Sequence, residues 1–226
     1  MKTLEINASN AHELEAALNT CNLPIHFLSL DLSAYDFSRK KLEHCVFEAC
    51  NLAGATFLGS DLTASTFMKC RAGEANFSAA RLSESSFVQC DLNNSNWSRS
   101  KLSHARFEAC KLTGSDFSNA ATLAISFKEC RLNSACLSGI SFFKSEIDNL
   151  DFSESDLTGC DFRKSRFING GSLSMARVSG ARFDEADLRE ASLNGLRLTD
   201  AAQFKGATIS KSQATMLLAG LGLTVM

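Results

Sequence analysis

One proline, one tyrosine and one tryptophan are spread over 226 residues. Ordinary usage would place about ten prolines in a chain of this length. No run of about 18 apolar residues occurs, and no basic start leads into an apolar stretch, so neither a membrane span nor a signal peptide is expected. The net charge of -2 gives no global drive towards nucleic acid or an acidic membrane. Only four histidines are present, His12, His26, His44 and His104, and their scatter fits solvated corner residues. There is no Gly-rich phosphate loop, nucleophile elbow or Ser/His/Asp set, so neither catalysis nor a cofactor is expected.

Phenylalanine and cysteine are abundant instead, at 17 and nine. Nine is odd and no secretory leader is seen, which argues for reduced thiols in a cytoplasmic protein rather than a disulfide framework. Most of the phenylalanines fall on one register. Leu or Phe recurs every five residues from Leu32 to Phe167, lapsing clearly at Ala72 and Thr122. After a one-residue slip at Asn169-Gly170-Gly171 the series resumes at Leu173 and runs to Leu198. Two places before these residues stands a small one in most repeats, as in Cys50, Ala55, Ser60, Ser65 and Cys70.

A period of five fits neither helix nor strand. Residues two apart in extended backbone face the same way, so the small residue and the Leu or Phe both point inward. The remaining pair turns a corner, which makes each pentapeptide one side of a polygonal coil. Cys50, Cys70, Cys90, Cys110 and Cys130 recur every 20 residues, and Leu and Phe alternate with period ten between positions 32 and 117. Four sides per coil keep both patterns in columns, whereas three would scramble them. The expected fold is all-β, a quadrilateral β-solenoid of about 8.5 coils. Its ladder of backbone hydrogen bonds explains the missing prolines.

Solenoid ends need caps. Residues 1–26 are expected to form an N-terminal α/β cap, 27–200 the solenoid and 201–226 a C-terminal capping or dimerisation segment. Asn10 and Glu13 suggest a helix start, with a helix over 10–20 and a strand from Thr3 to Ile6. Ser210 and Gln213 form a capping box, and Gly220 is a natural stop. Ala214, Leu217, Leu218 and Leu221 make an apolar stripe suited to a two-fold homodimer. Leu223 and Val225 alternate as in a short strand.

A straight inward column of thiols does not converge on a metal, so the cysteines read as small buried hydrophobes. Cys45 and Cys160 take equivalent small places, while Cys136 falls outward and is the expected reactive thiol. Outward charge is uneven. Glu146, Asp148, Asp151, Glu154, Asp156 and Asp161 face only Lys144 within residues 141–161, and residues 162–183 then hold Arg163, Lys164, Arg166, Arg177 and Arg182. Adjacent rings of opposite charge can pair with each other, or the acidic belt can dock on a basic protein surface. Glu74, Asn76, Asn94, Asn96 and Asp116, with Glu154 and Asp156, line one corner poor in cations.

The small-x-[Leu/Phe]-x-x register resembles the pentapeptide repeat family. Asp116-Phe117-Ser118-Asn119-Ala120-Ala121-Thr122-Leu123-Ala124-Ile125-Ser126-Phe127-Lys128-Glu129-Cys130 and the tail from Gln213 to Val225 are similar to segments of its Qnr-type quinolone-resistance members. The resemblance implies a right-handed coil and a dimerising C-terminal helix. It also implies a non-enzymatic, DNA-mimicking partner of DNA gyrase and topoisomerase IV that blunts quinolones, without binding nucleic acid or membrane itself. The loops that interrupt the repeats in many Qnr proteins are missing here. A structural or scaffolding solenoid with an unrelated partner is the alternative.

Overall fold

Each pentapeptide is shaped by where its backbone N–H groups find acceptors. In Ala55-Thr56-Phe57-Leu58-Gly59, the Ala55 N–H donates to Leu52 O at 3.0 Å and closes a β-turn. Thr56 donates to Tyr35 O in the preceding coil at 3.0 Å, whereas Phe57 and Gly59 donate to Asn76 O and Ser78 O in the following one at 2.7 and 3.0 Å. The remaining donor, Leu58 N–H, meets its neighbour's hydroxyl, Thr56 Oγ1, at 3.4 Å. Equivalent side-chain oxygens serve this role at Asp36, Asn96 and Asp116, accepting from Ser38, Ser98 and Ser118 at 2.8, 2.9 and 2.8 Å. This is why Asp, Asn and Thr recur just before the central Leu or Phe: their short side chains reach the N–H two residues on. The last residue of the pentapeptide turns the corner at positive φ, between 48° and 62° for the non-glycine cases. That region costs an L-residue roughly 1–2 kcal/mol, and the ladder bonds on both sides hold it there.

The structure is a computed structural model that describes residues 3–7, 10–20, 24–197 and 201–220. The chain divides into two compact units, Met1–Ser126 and Phe127–Met226. In the first, one side of every coil is fully extended. Strands β1 (Leu4–Ile6), β2 (Ile25–Leu28), β3 (Val46–Glu48), β4 (Thr66–Met68), β5 (Ser86–Val88) and β6 (Arg106–Glu108) lie in chain order. They pair in parallel, with Phe47 opposite Phe67 and Phe67 opposite Phe87. The other three sides meet the next coil through single bridges such as Asn51↔Arg71, Thr56↔Asn76 and Asp61↔Arg81. The expected four-sided parallel β-solenoid is therefore what the chain forms.

Its interior is two columns of rings between two of leucine. Phe27, Phe47, Phe67, Phe87 and Phe107 stack with centroids 4.4–4.9 Å apart. Phe37, Phe57, Phe77, Trp97 and Phe117 stack on the opposite side at 4.3–5.6 Å. The columns meet edge to face, as Phe57 and Phe67 do at 5.9 Å and 86°, which is the arrangement aromatic quadrupoles favour. Trp97 occupies a phenylalanine place because its Nε1–H finds Ser95 Oγ at 2.6 Å. Near the end of this unit the sizes swap: Thr122 stands in the large place and Ile125 in the small one, both only half-buried, and Leu123 is 72% exposed.

The second unit repeats the plan from β7 (Ser126–Lys128) onward, with β8 (Glu146–Asp148) paired to β9 (Arg166–Ile168). Here Phe142, Phe162, Phe183 and Phe204 make the ring column, at 4.8–4.9 Å. The slip lengthens one coil by a residue, so Asp151 bridges Ser172 and Asp156 bridges Arg177. Gly171 absorbs it at φ +108°, and a Cβ there would lie 2.8 Å from Leu150 O.

At the N-terminus, β1 pairs with β2, and a 3-10 turn (Ala11–Glu13) leads into α1 (Leu14–Thr20), which buries Leu14 and Ala17. The Asn10 side chain does not cap Glu13 as its spacing suggests; Asn10 Oδ1 accepts from Asn7 N–H at 2.7 Å and Nδ2 donates to Glu5 O. Tyr35 Oη donates to Glu15, and Lys40 to Asn19 at 2.8 Å. At the other end, α2 (Lys211–Gly220) starts on the expected capping box: Ser210 N–H donates to Gln213 Oε1 at 2.6 Å, and Gln213 N–H to Ser210 Oγ at 3.2 Å. Gln213 is buried, and its Nε2 donates to Leu188 O and Ala191 O, both at 2.7 Å. Leu198, Leu221, Leu223 and Val225 lie outside the described residues. Among the described residues no helix is long and apolar enough to cross a membrane.

Two substitution sets test this account. Asn96→Pro removes a ladder donor and should cost about 3 kcal/mol or more. Ser98→Pro removes only a bond to a side chain, at a turn position that suits proline, and should cost about 1 kcal/mol or less; urea unfolding followed by Trp97 fluorescence measures both. Gln213→Leu strands two carbonyls of the last coil and should lower stability by about 1–3 kcal/mol, with the loss read as a lower midpoint in thermal unfolding.

Candidate interaction surface

The thiol column is shut inside. Cys50, Cys70, Cys90 and Cys110 each donate to the carbonyl of a phenylalanine 23 residues earlier, Phe27, Phe47, Phe67 and Phe87, at 3.3–3.4 Å. Cys160 does the same to Leu137 O at 3.2 Å. Contact with the Cys50 thiol, reinforced by burial, pushes Cys70 up to about 12. At Cys90 the Cys110 thiol pulls the other way, but Cys70 and burial outweigh it and the group again rises to about 12. Burial alone leads the rise of Cys160, also to about 12. A protonated thiol neither attacks nor ligates. Cys45 is buried likewise and accepts from Ile25 N–H, whereas Cys136 is half-buried on the outer surface beside Ser138. Of the histidines, His44 and His104 sit exposed at corners with φ near 60° and His12 is exposed. His26 instead meets Glu48 at 3.0 Å, on strands one coil apart.

The six acidic belt residues do not share a face. Glu146 and Asp148 flank Ile147 on the extended side, Asp151 precedes Phe152 on the next, Glu154 turns the corner, and Asp156 and Asp161 lead the two remaining sides. Several are already matched within the chain. Arg166 reaches Glu146 at 2.9 Å, Arg177 reaches Asp156 at 3.9 Å, and Asn169 donates to Asp148 at 2.9 Å. Arg163 grips Asp161 with Nε and Nη2 at 2.8 and 2.6 Å, and this holds the Asp161 carboxyl below the usual carboxylate range. Asp151 and Glu154 take part in no ion pair among the described residues. They share one side, and Asp148 lies on the side before it, across the corner at Asn149.

On the first unit, Asn76, Asn96 and Asp116 form one column and Glu74 and Asn94 the adjoining corner. Glu154 and Asp156 hold the same register places in the second unit. The Asn76, Asn96 and Asp116 oxygens are engaged with Ser78, Ser98 and Ser118 N–H groups. Beside them, small residues Ala53, Gly54 and Gly73 floor a hollow of about 640 Å³ walled by Asn51, Arg71, Glu74, Asp91, Asn93 and Asn94.

Two features were not anticipated. Phe143 points outward and is 43% exposed, with Lys144 Nζ and Arg163 Cζ each 5.2 Å from its ring centroid. Its signal in the sequence is that it follows Phe142 and so falls off the pentapeptide register. Phe204 is also off register yet stacks on Phe183. On α2, Ala214 and Leu217 are half-buried, while Leu218, at 38%, and the preceding Ile209, at 37%, are exposed. Leu221, the last of the expected dimer residues, lies outside the described residues.

The sequence matches the family described as "Pentapeptide repeat region" over residues 60–137, and that described as "Pentapeptide repeats (8 copies)" over 31–68, 125–163 and 172–202. Among curated proteins none matches. Among solved structures, full-length QnrB1, a plasmid-mediated fluoroquinolone resistance protein, is similar with a TM-score of 0.72 and 22% identity, over 88% of this chain and all (100%) of that one. A trypsin-treated, singly substituted form of QnrB1 gives 0.68 and 22%, over 90% and 98%. HetL of the cyanobacterium Nostoc sp. strain PCC 7120, a pentapeptide repeat protein involved in heterocyst differentiation regulation, gives 0.52 and 17%, over 89% and 94%.

The thiol environments predict sharply unequal reactivity. In native protein at pH 8, iodoacetamide should alkylate Cys136 well before Cys70, Cys90 or Cys160, which react only on unfolding; peptide mapping by mass spectrometry reads the order.

Proposed function

Since the chain belongs to the pentapeptide repeat family, we propose that it is a non-catalytic protein that binds a type II topoisomerase, DNA gyrase or topoisomerase IV, and protects it from quinolones or similar poisons. The observation that carries this reading is the correspondence of the solenoid to the whole length of QnrB1, a fluoroquinolone resistance protein. The acidic belt supplies the chemistry. Carboxylates held around one coil face the Lys and Arg side chains with which such an enzyme grips DNA phosphates, so the solenoid competes for a surface built for a polyanion.

Within the belt, Asp151 and Glu154 are the first contacts, because they share a side and pair with no cation among the described residues, and Asp148 on the preceding side adds to them. Glu146, Asp156 and Asp161 contribute less, since a partner must first displace Arg166, Arg177 or Arg163. The apolar face of α2, with Ala214, Leu217 and Leu218, joins two copies as a homodimer in the cytoplasm, together with Leu221 beyond it in the sequence. Gln213 meanwhile anchors the helix to its own coil.

The same ion pairs favour a second reading, a scaffolding solenoid whose partner is unrelated to DNA enzymes. A protein that spends half its acidic belt on its own arginines presents a weaker mimic of a phosphate backbone.

A gyrase supercoiling assay with ciprofloxacin separates the two. Micromolar protein should restore supercoiling that the drug suppresses. The quadruple change Glu146→Lys, Asp151→Lys, Glu154→Lys and Asp156→Lys should abolish the rescue while leaving the circular dichroism spectrum unchanged. Neither rescue nor inhibition by the native protein, on gyrase and on topoisomerase IV, would leave the scaffolding reading standing.

A further inference from the structure

The phenylalanines on the repeat register are buried, whereas Phe143, one place off it, is not. Two cations lie 5.2 Å from its centroid, where the ring quadrupole attracts them. They differ in how they are held. Arg163 is fixed: its Nε and Nη2 are committed to Asp161 at 2.8 and 2.6 Å, while Nη1 takes no part in that pair. Lys144 is half of no ion pair among the described residues, and its ammonium retains donors for an incoming group. The neighbouring cations are neutralised locally, Lys164 by Glu185 at 3.5 Å and Arg182 by Asp184 at 3.5 Å. Among these cations Lys144 is thus the one whose charge no carboxylate offsets among the described residues, and it stands at the exposed ring with Arg163 Nη1 beside it.

We propose that Phe143, Lys144 and Arg163 form a docking site for an acidic, aromatic-bearing peptide segment of a partner protein. The partner's apolar or aromatic side chain packs on Phe143, and an adjacent carboxylate accepts from Lys144 Nζ and Arg163 Nη1. An exposed aromatic beside a preorganised arginine is the composition from which interface hot spots are built. Because Asp161 already holds the guanidinium in place, little side-chain entropy is lost when a carboxylate arrives. A nucleic acid fits less well, since Arg163, Lys164 and Arg182 are already paired with Asp161, Glu185 and Asp184, which leaves one unpaired cation, Lys144, enough for a single carboxylate but not for a run of phosphates. This site uses Asp161 of the acidic belt only to hold Arg163 and takes an acidic rather than a basic surface, so it stands whether or not the topoisomerase reading does.

The test is fluorescence anisotropy on the full chain at 0.15 M salt, with a fluorescein-labelled peptide of alternating aspartate and phenylalanine. Two further probes are its asparagine counterpart and a labelled oligothymidylate. Saturable binding of the acidic peptide is expected, at least tenfold tighter than of the asparagine peptide. Phe143→Ala and Arg163→Gln should each weaken it at least tenfold, while Phe143→Tyr stays within threefold of the native protein. Phe143 is a surface residue, so its variants should melt within a few degrees of native; if Phe143→Ala does not fold, Lys144→Gln replaces it with the same expectation. No binding, equal binding of the asparagine peptide, indifference to these substitutions, or tighter binding of oligothymidylate would each overturn the proposal.

Discussion

The structure depends on one requirement, that each backbone N–H of a five-residue side find an acceptor in the coil before, the coil after, the turn or a side chain within the same side. Once the chain is wound to satisfy it, the rest follows as geometry. The central residue must point inward, the residue two before it is in most sides small, and the corner must accept positive φ. A lone buried amide would cost more than any single contact could return. The tolerated variation is therefore in the side chains that do not enter the accounting.

Packing inside the coils adds stability but little individuality. Rings stacked at 4.4–4.9 Å in the Phe27–Phe107 column repeat the same contact from coil to coil. Trp97 is informative because it breaks the monotony and has to bring its own acceptor, Ser95. Three buried hydroxyls, Ser65 Oγ, Thr158 Oγ1 and Ser165 Oγ, have no partner among the described residues. Ser60, Ser85, Ser100 and Ser155 at the small inward place, in contrast, each donate to the carbonyl three residues back, so a hydrogen bond is usual at that place but volume is the requirement. Interaction chemistry is left to the outer surface, where carboxylates and guanidiniums occupy neighbouring coils and can neutralise one another before any partner arrives.

What was legible in the sequence and what was not divide along the same line. Periodicity at five and 20 residues gave the four-sided coil because inward places tolerate few residue types. Ser210 and Gln213 were legible because a capping box is local. Asn10 and Glu13 marked the helix start, but the Asn10 oxygen is claimed by Asn7 rather than by Glu13, which no spacing rule discloses. The acidic belt looked continuous along the chain, but consecutive sides point in four directions, so sequence neighbours are spatially dispersed and, apart from Arg163 on Asp161, the neighbouring coil supplies the partners. His26 with Glu48 and Arg166 with Glu146 are pairs of that kind. Phe143 escaped notice because an off-register phenylalanine leaves no period to detect.

The coil-to-coil register also makes length a quantised property of this protein. In the first unit the ladder pairs each residue with one 20 positions away, as Phe47 with Phe67. Deleting or duplicating a whole coil leaves every outer column aligned and merely shortens or extends it. Deleting one pentapeptide keeps all inward places inward yet rotates everything downstream by a quarter turn. An acidic column would then continue on a neighbouring wall. Lineages of such chains can thus grow or shrink without losing the fold, while the direction in which each surface pattern looks is reset by the remainder after division into coils.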